Sequence, residues 1–327
     1  MNRKVSVAPM MDCTDRHERY FLRLISKNVL LYTEMVVSEA IDRGDKKKLL
    51  SFNLNEKPVA LQLGGSSPRL LSNAAKIGED FGYDEINLNL GCPSKKVQKN
   101  KFGACLIKDP RLVADCLNEM QSKTKLPVTV KTRIGYDDVE DYESLFNFIN
   151  LLKSTGVKTF IIHARKAMLG KFTPKQNLNI PPLKYEMVYK LKKDFKDLEI
   201  IINGGITSTY DIKNHLNKVD GVMIGRSVYH SPYMLADIEK EIFKNANILT
   251  REEIIQKLIP YVKNETKKGT RLNQIMRHTL GLFHGQTGSS FWKRYLSENM
   301  CVRDADVKKI DHIMDKVKLA PQARSAG

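Results

Sequence analysis

Short apolar runs alternate with helical patterns over roughly the first 230 residues of the chain. Eight runs are rich in apolar and β-branched residues and have the length of buried strands. They cover residues 5–8, 31–34, 59–63, 85–90, 128–132, 159–163, 199–203 and 221–224. Segments between them have helical spacing, for example residues 68–81, 110–124, 139–154 and 209–216. This alternation predicts an α/β fold, a closed (β/α)8 TIM barrel over residues 1–235.

An open doubly wound sheet is the other fold that this alternation allows. Such a sheet normally carries Gly-x-Gly-x-x-Gly after its first strand. The corresponding segment here, Val7-Ala8-Pro9-Met10-Met11, contains no glycine. The closed barrel is therefore the preferred prediction.

Strand patterns stop after about residue 236, and only helical patterns follow. They cover residues 235–245, 251–267, 273–282, 291–298 and 304–316. A glycine- and serine-rich turn that starts at His284 interrupts the series once. We predict a separate all-helical domain over residues 240–320, after a boundary between residues 232 and 245.

The chain is strongly basic. Among its 327 residues, 54 are Lys or Arg and 37 are Asp or Glu, which gives a formal net charge of +17. Such an excess points to a polyanionic partner such as nucleic acid. The hydrophobic content of 42% is ordinary for a globular protein and excludes a mainly disordered chain.

Membrane and secreted classes are not indicated. No run of about 18 apolar residues occurs, and the first residues lack the apolar stretch of a signal peptide. The five cysteines, at positions 13, 92, 105, 116 and 301, form no Cys-x-x-Cys pair, so neither a disulfide framework nor a zinc site is predicted. We expect a monomer without a metal in the reducing cytoplasm, where free thiols persist.

Polar, thiol or glycine residues follow nearly every predicted strand, at the end where TIM barrels carry their active sites. In chain order they are Pro9-Met10-Met11-Asp12, Thr33-Glu34-Met35, Gln62, the segment from Asn87 to Ser94, Lys131-Thr132-Arg133, His163-Ala164-Arg165-Lys166, Asn203-Gly204-Gly205 and Gly225-Arg226. A purely structural barrel would not need such residues, so a site is predicted at this end.

The clearest local signal is a pair of glycine turns after the last two strands, Gly204-Gly205 and Gly225-Arg226. The loops at these positions form the common phosphate site of TIM barrels. Glycine lets backbone N–H groups approach a phosphate, and an arginine adds a charged fork. Tight turns beside a solvated arginine are the alternative interpretation, but two such turns on adjacent strands favour a phosphate.

Cys92 ends an apolar strand between Gly91 and Pro93. A buried structural cysteine is the alternative, because cysteines are common in cores. A thiol with the ordinary pKa of about 8.5 is mostly protonated near pH 7, so it can donate a proton as well as act as a nucleophile. Cys105 is the competing thiol, and its apolar neighbours favour a structural role.

Three further candidates are ambiguous by themselves. Lys131 lies at a strand end, where a buried cation requires an anionic partner such as a reduced flavin ring. His163 could equally well be a core histidine whose hydrogen bonds are all made, and the role of Gln62 is ambiguous in the same way. Basic clusters with neighbouring aromatic residues favour contact with the phosphates of nucleic acid, although a solvated face is the usual role of a charge run. These clusters are Lys95, Lys96, Lys99 and Lys101; Lys267, Lys268, Arg271 and Arg277; and Lys293 with Arg294.

Taken together, these residues resemble the tRNA-dihydrouridine synthases, and most closely their bacterial A subfamily. The resemblance runs from Val7 to Glu298. Its motifs are Thr14-Asp15-Arg16-His17, Leu31-Tyr32-Thr33-Glu34-Met35, the segments 87–94 and 102–106, His163-Ala164-Arg165-Lys166-Ala167, Ile180-Pro181-Pro182-Leu183 and the segment 203–206. This subfamily is expected to act at positions 20 and 20a of the tRNA D-loop.

The resemblance implies flavin mononucleotide (FMN) at the barrel mouth, NADPH as its reductant and tRNA as the substrate. The residues that it implies around the FMN ring are Pro9, Met10, Met11, Gln62, Lys131 and His163, with Asn203, Gly204, Gly205, Gly225 and Arg226 at the phosphate. Cys92 matches the catalytic cysteine, which gives a proton to C5 of uracil while hydride reaches C6. Asn89 and Arg165 match positions near the substrate, and Lys175, Lys293 and Arg294 are further candidates for contact with tRNA.

One segment departs from the family pattern. The family usually has Asn-Arg-Glu-Ile-Pro-Pro-Leu, whereas this chain has Leu178 in place of the arginine and Asn179 in place of the glutamate. The arginine is expected near the target uridine, so the placement of the uridine and the preferred position are in question. Lys175 and Lys184 are the candidates to compensate.

Two other functional hypotheses remain open from the sequence. A flavin barrel that acts on a small pyrimidine-like molecule would share the phosphate site and the cysteine, but it would leave the basic helical domain unexplained. A tRNA-binding module without catalysis would need neither a thiol nor a glycine cradle for phosphate.

Overall fold

The structure is a computed structural model, and it describes residues 1–300. The helix predicted over residues 304–316 and Cys301 therefore lie outside the described residues, as does the end of the domain predicted over residues 240–320. The strands are β1 Val5–Val7, β2 Leu30–Tyr32, β3 Val36–Val37, β4 Val59–Gly64, β5 Glu85–Leu90, β6 Val128–Arg133, β7 Thr159–His163, β8 Glu199–Asn203 and β9 Gly221–Ile224.

The strands form a closed parallel barrel. The order is β2-β1-β9-β8-β7-β6-β5-β4, and a pairing of β2 with β4 closes the ring. All eight strands of the ring correspond to the runs predicted from the sequence, so the TIM barrel is confirmed. The two-residue strand β3 pairs with the edge of β4 and was not predicted, because two residues are too short to show a pattern.

Helices follow most of the strands, and from the end of β9 to residue 300 all the regular elements are helical. They are α1 Arg16–Ile25, α2 Ser38–Arg43, α3 Lys46–Leu50, α4 Pro68–Phe81, α5 Lys95–Lys99, α6 Pro110–Lys123, α7 Tyr142–Lys153, α8 Pro174–Asn177, α9 Tyr185–Asp194, α10 Thr209–Leu216, α11 Arg226–His230, α12 Met234–Glu241, α13 Arg251–Lys267, α14 Leu272–Met276 and α15 Ser289–Asn299, with short 3₁₀ turns at Leu54–Glu56, Gly103–Lys108 and Arg277–Thr279. No helix within residues 1–300 combines the length and the apolar character that crossing a membrane requires.

Several helices differ from their predicted bounds, for example the one predicted over residues 235–245, which is Met234–Glu241, and two of the differences have clear local reasons. The helix predicted from residue 139 begins at Tyr142, because Tyr136 and Val139 pair with each other and Asp141 caps the helix by accepting from the Ser144 amide. The helix predicted over residues 273–282 ends at Met276 and passes into the 3₁₀ turn Arg277–Thr279.

Small and apolar side chains fill the middle of the barrel. Ala8, Leu30, Tyr32, Ala60, Ile161, Ile201 and Met223 form one buried cluster. Below it, the carboxylate of Glu85 is fully buried and accepts hydrogen bonds from Tyr32 Oη at 2.7 Å, Thr129 Oγ1 at 2.6 Å and Arg3 Nε at 2.6 Å. A buried carboxylate requires such partners, so this network plugs the amino-terminal end of the barrel without leaving an unpaired charge.

The chain divides into two compact units. One comprises Met1–Thr14 and Val29–Gly225, and the other comprises Asp15–Asn28 with residues 226–300. Within the second unit, the Asp15-Arg16-His17 motif joins α1 to α13: Arg16 Nη2 lies 2.5 Å from Glu265 Oε2, and His17 Nδ1 lies 2.7 Å from Tyr261 Oη. The motif therefore has a structural role in this unit. The domain boundaries drawn from the sequence stay a prediction.

Candidate active site

A layer of polar side chains lies directly above the apolar core, at the carboxyl ends of the strands. Side chains on a strand alternate between its two faces, so a residue two positions beyond an inward core residue also points inward. Gln62, His163 and Asn203 stand two positions beyond Ala60, Ile161 and Ile201 of the core cluster. Asn89 on β5 and Lys131 on β6 are register partners in the same layer. The alternation thus brings together residues that are far apart in the sequence.

Asn89 fixes the turn that carries Cys92. Its Oδ1 accepts hydrogen bonds from the amides of Gly91 at 3.1 Å and Cys92 at 3.0 Å. Its Nδ2 donates to Gln62 Oε1 at 2.8 Å, and Gln62 Nε2 donates to Asn87 Oδ1 at 2.8 Å. Both ends of the Asn89 amide are therefore engaged, which holds the turn in one orientation.

Cys92 is half-buried at the mouth of the barrel. Its carbonyl accepts from the Ala104 amide at 2.9 Å, so the loop that follows returns to the cysteine. The competing thiols have different surroundings. Cys105 Sγ donates to the Phe102 carbonyl at 3.1 Å and burial raises its pKa, while burial raises the pKa of Cys116 to about 12. Both therefore keep their protons firmly and suit structural positions.

Lys131 is half-buried in the same layer. Burial, together with the nearby Arg133, lowers the pKa of its ammonium to about 7, and the sulfur of Cys92 acts in the opposite direction. Its Nζ donates to Asn203 Oδ1 at 3.1 Å, and Asn203 Nδ2 donates to the Met223 carbonyl at 2.8 Å. Asn203 is neutral, and no carboxylate of residues 1–300 forms an ion pair with Lys131, so the lysine is suited to an anionic ligand.

Arg133 ties three loops of the mouth together, a role that the sequence did not reveal. The side chain is buried, and it donates to the carbonyls of Gly91 at 2.8 Å, Lys166 at 3.1 Å and Asn177 at 3.2 Å. Burial lowers the pKa of its guanidinium to about 10. The only sequence signal was its inward position two residues beyond Lys131, because its acceptors come from distant loops.

The turn after β8 is a backbone cradle that only glycine can form. Gly204 and Gly205 have φ values of +117° and +70°, which L-residues rarely adopt. A Cβ at Gly205 would lie 2.5 Å from Leu183 Cδ1. Tyr185 Oη donates to the Gly204 carbonyl at 2.7 Å and so sets the orientation of the turn, another role absent from the sequence analysis. Gly205 is exposed, so its backbone allows the close approach that a phosphate requires.

The remaining predicted residues belong to both units. Met10 is held by Thr14, whose Oγ1 accepts from the Met10 amide at 3.0 Å, and Met11 beside it is 55% exposed. Pro9, which precedes them, is half-buried. Gly225 directly follows β9 in the first unit, whereas the next residue, Arg226, begins α11 in the second.

The residues expected near the substrate have different degrees of exposure. Arg165 Nη1 donates to the carbonyl of Pro181 and so supports the loop around Leu178. Lys175 is exposed on α8, whereas Lys184 forms an ion pair with Glu140 at 3.0 Å. Of the two lysines that could replace the arginine of the family pattern, Lys175 is thus the more accessible to a phosphate of the substrate. Lys293 and Arg294 are exposed on α15 in the second unit.

The sequence matches one protein family over most of its length. The family model described as dihydrouridine synthase matches residues 6–318. A tRNA-dihydrouridine(20/20a) synthase of Synechocystis sp. is 53% identical over 302 residues, which cover 92% of this chain and 90% of that protein. The protein of the same name from Escherichia coli K12 is 51% identical over 316 residues, or 96% of this chain and 91% of the relative.

A solved structure supports the fold alone. The 2-naphthoyl-CoA reductase complex with 2-naphthoyl-CoA superimposes with a TM-score of 0.53 at 11% sequence identity, and the match covers 74% of this chain and 50% of that one. At this identity the similarity concerns the barrel architecture and not the reaction.

Proposed function

Because the chain belongs to the dihydrouridine synthase family, we propose that it reduces uridines 20 and 20a in the D-loop of tRNA to 5,6-dihydrouridine. Relatives that carry this activity in their names match almost the full length of the chain at about half identity. The observation that carries the proposal is the position of Cys92: a thiol on a rigid turn at the mouth, near enough to Lys131 and Arg133 to influence the pKa of both.

We propose FMN as the cofactor, with NADPH as the reductant. The Gly204-Gly205 cradle would hold its phosphate, because a turn with two positive φ angles, which any Cβ would force against His163 or Leu183, leaves the backbone open to close approach. Asn203, Gly225 and Arg226 would complete the phosphate end. Pro9, Met10, Met11, Gln62, Lys131 and His163 would surround the ring. When bound, reduced FMN supplies the hydride that C6 of uracil receives.

The protein's own contribution is to hold a proton in the correct place. Cys92 would donate the proton on Sγ to C5 of the uracil ring, and Asn89 would keep that sulfur in position through the two amides that it binds. Arg133 supports the same turn through the Gly91 carbonyl. Lys131 would stabilise negative charge at the mouth, because within residues 1–300 its ammonium bonds to the neutral Asn203 and forms no ion pair.

The substrate must present its target base to this mouth. A uridine in folded tRNA leaves its stack at a cost of a few kcal/mol, and the net charge of +17 favours the phosphates that accompany it. We propose that Asn89 and Arg165 contact the target nucleotide, and that Lys175, Lys293 and Arg294 contact the tRNA backbone. We further propose a monomer in the cytoplasm, where Cys92 stays reduced.

Substitution of the cysteine tests the function directly. Cys92→Ala should bind FMN and oxidise NADPH as the wild type does, yet form almost no dihydrouridine in unmodified tRNA, as measured by mass spectrometry of nucleosides. Full activity of this variant would refute the role of Cys92. Turnover of free uridine without turnover of tRNA would favour a small-molecule reductase instead. Mapping of tRNA from cells without the protein would test positions 20 and 20a.

A further inference from the structure

The loop that follows Cys92 carries a dense and unneutralised positive charge. Lys95, Lys96, Lys99 and Lys101, hereafter the lysine loop, are all exposed, and no acidic residue occurs between Cys92 and Lys108. Within residues 1–300 none of the four side chains forms an ion pair. Lysines of neighbouring loops differ, since Lys166 and Lys184 both pair with Glu140.

The backbone of the lysine loop is fixed relative to Cys92. Ser94 caps α5 by accepting from the Val97 amide at 3.3 Å, and Val97 itself is buried. Gln98 Nε2 donates to the Pro93 carbonyl at 2.7 Å. The Ala104 amide closes the loop on the Cys92 carbonyl. The lysines therefore extend from a rigid platform whose first residue is the cysteine.

Four like charges on seven consecutive positions repel one another, and that repulsion is relieved by a ligand with several negative charges in a row. A nucleic acid backbone is such a ligand. If the target base lies beside Cys92, the phosphates on either side of its ribose come within reach of side chains on the same loop. The charge and its fixed distance from the cysteine thus point to one partner.

We propose that the lysine loop binds the phosphates that flank the target uridine, an inference that rests on the proposed function of tRNA reduction. The segment from Cys92 to Lys101 would then have two tasks. Cys92 would protonate the base, and the lysine loop would hold the strand in place. Contact with phosphates carries no sequence information, so this surface would set the affinity and the register of the strand and would not read the bases.

The test compares two variants with the same change in charge. In one, all four residues of the lysine loop are replaced by Gln (K95Q/K96Q/K99Q/K101Q). In the control (K123Q/K125Q/K193Q/K196Q), the replaced lysines are exposed and lie just before β6 and β8, at the opposite end of the barrel. Both variants are measured for binding of unmodified tRNA and for kcat/KM at increasing KCl, together with FMN content and NADPH oxidation.

The lysine-loop variant should bind tRNA at least about tenfold more weakly at low salt. Its plot of log affinity against log salt should be shallower by about 0.7–0.9 for each phosphate that the variant no longer neutralises. FMN content and NADPH oxidation should match the wild type, and the control should keep the wild-type slope. Equal slopes in both variants, or no change in either, would overturn the proposal. If the wild-type protein forms no dihydrouridine in tRNA, the proposed function is rejected. The binding measurements would still show whether the lysine loop binds tRNA phosphates.

Discussion

The imidazole of His163 packs directly against the backbone of Gly204. A Cβ at residue 204 would lie 2.7 Å from His163 Cδ2 and 3.0 Å from His163 Nε2. The first distance is shorter than any ordinary contact between non-bonded carbon atoms. His163 ends β7 and Gly204 follows β8, and the register pairs His163 with Asn203. The histidine and the glycine cradle therefore form one surface, and a side chain added at residue 204 would displace the imidazole of His163.

Gly204→Ala should abolish FMN binding. The added methyl group would displace His163 and also strain a backbone at φ +117°, so the cradle could not keep its shape. Flavin content of the purified protein, read from its visible absorbance, measures the effect. Gly82→Ala is the matched control, because residue 82 has φ +89° but no atom within 4 Å of its Cβ. It should lose about 1–2 kcal/mol of stability, the cost of a left-handed L-residue, and keep its flavin. Normal flavin content in Gly204→Ala would contradict the cradle.

Tyr185→Phe should weaken FMN but not riboflavin. The hydroxyl that this change removes is the donor to the Gly204 carbonyl, and one hydrogen bond contributes about 0.5–1.5 kcal/mol, or roughly a two- to tenfold change in affinity. Riboflavin lacks the phosphate that the cradle would hold. Quenching of flavin fluorescence gives both dissociation constants. Tyr189→Phe removes a bond to His215 instead and should leave the ratio of the two constants unchanged. An equal loss for both flavins would indicate a general structural effect.

Lys131 should make the binding of reduced FMN, measured without oxygen, depend on pH, because the ring that this lysine would face is anionic only in the reduced form. Its pKa of about 7 means that the free protein loses the ammonium as the pH rises above neutrality. An anionic ligand prefers the protonated form, so affinity should fall with rising pH, at most about tenfold per pH unit. Binding is measured between about pH 7.5 and 9.5, where the charge of the phosphate stays constant because its second pKa is near 6. Lys131→Gln should bind more weakly and show a flat profile. A flat profile in the wild type would argue against an anion at Lys131.

His278 should make the stability of the second unit sensitive to alkaline pH. Burial opposes its charge, but the carboxylates of Asp15 and Glu18, at 3.1 and 3.2 Å, raise the pKa of the imidazole to about 9. The protonated form is thus favoured by folding. Its contribution is complete below the unfolded value of about 6.5 and is lost as the pH rises through 9.

Thermal melts between pH 6.5 and 9.5 would measure this loss, expected as a fall of several degrees in the melting temperature. His278→Gln should melt lower at pH 6.5 and show less change with pH. His215→Gln is the control, since burial lowers the pKa of that imidazole and its ring partner is the neutral Tyr189. A wild-type melting temperature that stays constant across this range would rule out the charged His278.

The amino-acid sequence alone determined the barrel and the inward polar layer. Four strand ranges, residues 85–90, 159–163, 199–203 and 221–224, agree with the structure at both ends. Strand patterns are local, because alternation and apolar runs depend on adjacent residues. The same period of two that places Ile161 in the core places His163 at the mouth, so candidates such as Gln62 and Lys131 could be identified without coordinates.

Only the tertiary structure decided which side chains support those candidates. Tyr185 reaches a carbonyl 19 positions away, and Arg133 reaches acceptors 42, 33 and 44 positions away. His17 and Tyr261, which join α1 to α13, are 244 positions apart. No local pattern encodes such pairs, because closing the ring of strands and packing the helices bring these loops together. The chemistry of the mouth could therefore be predicted from its residue types, whereas the contacts that hold it rigid arise only in the folded chain.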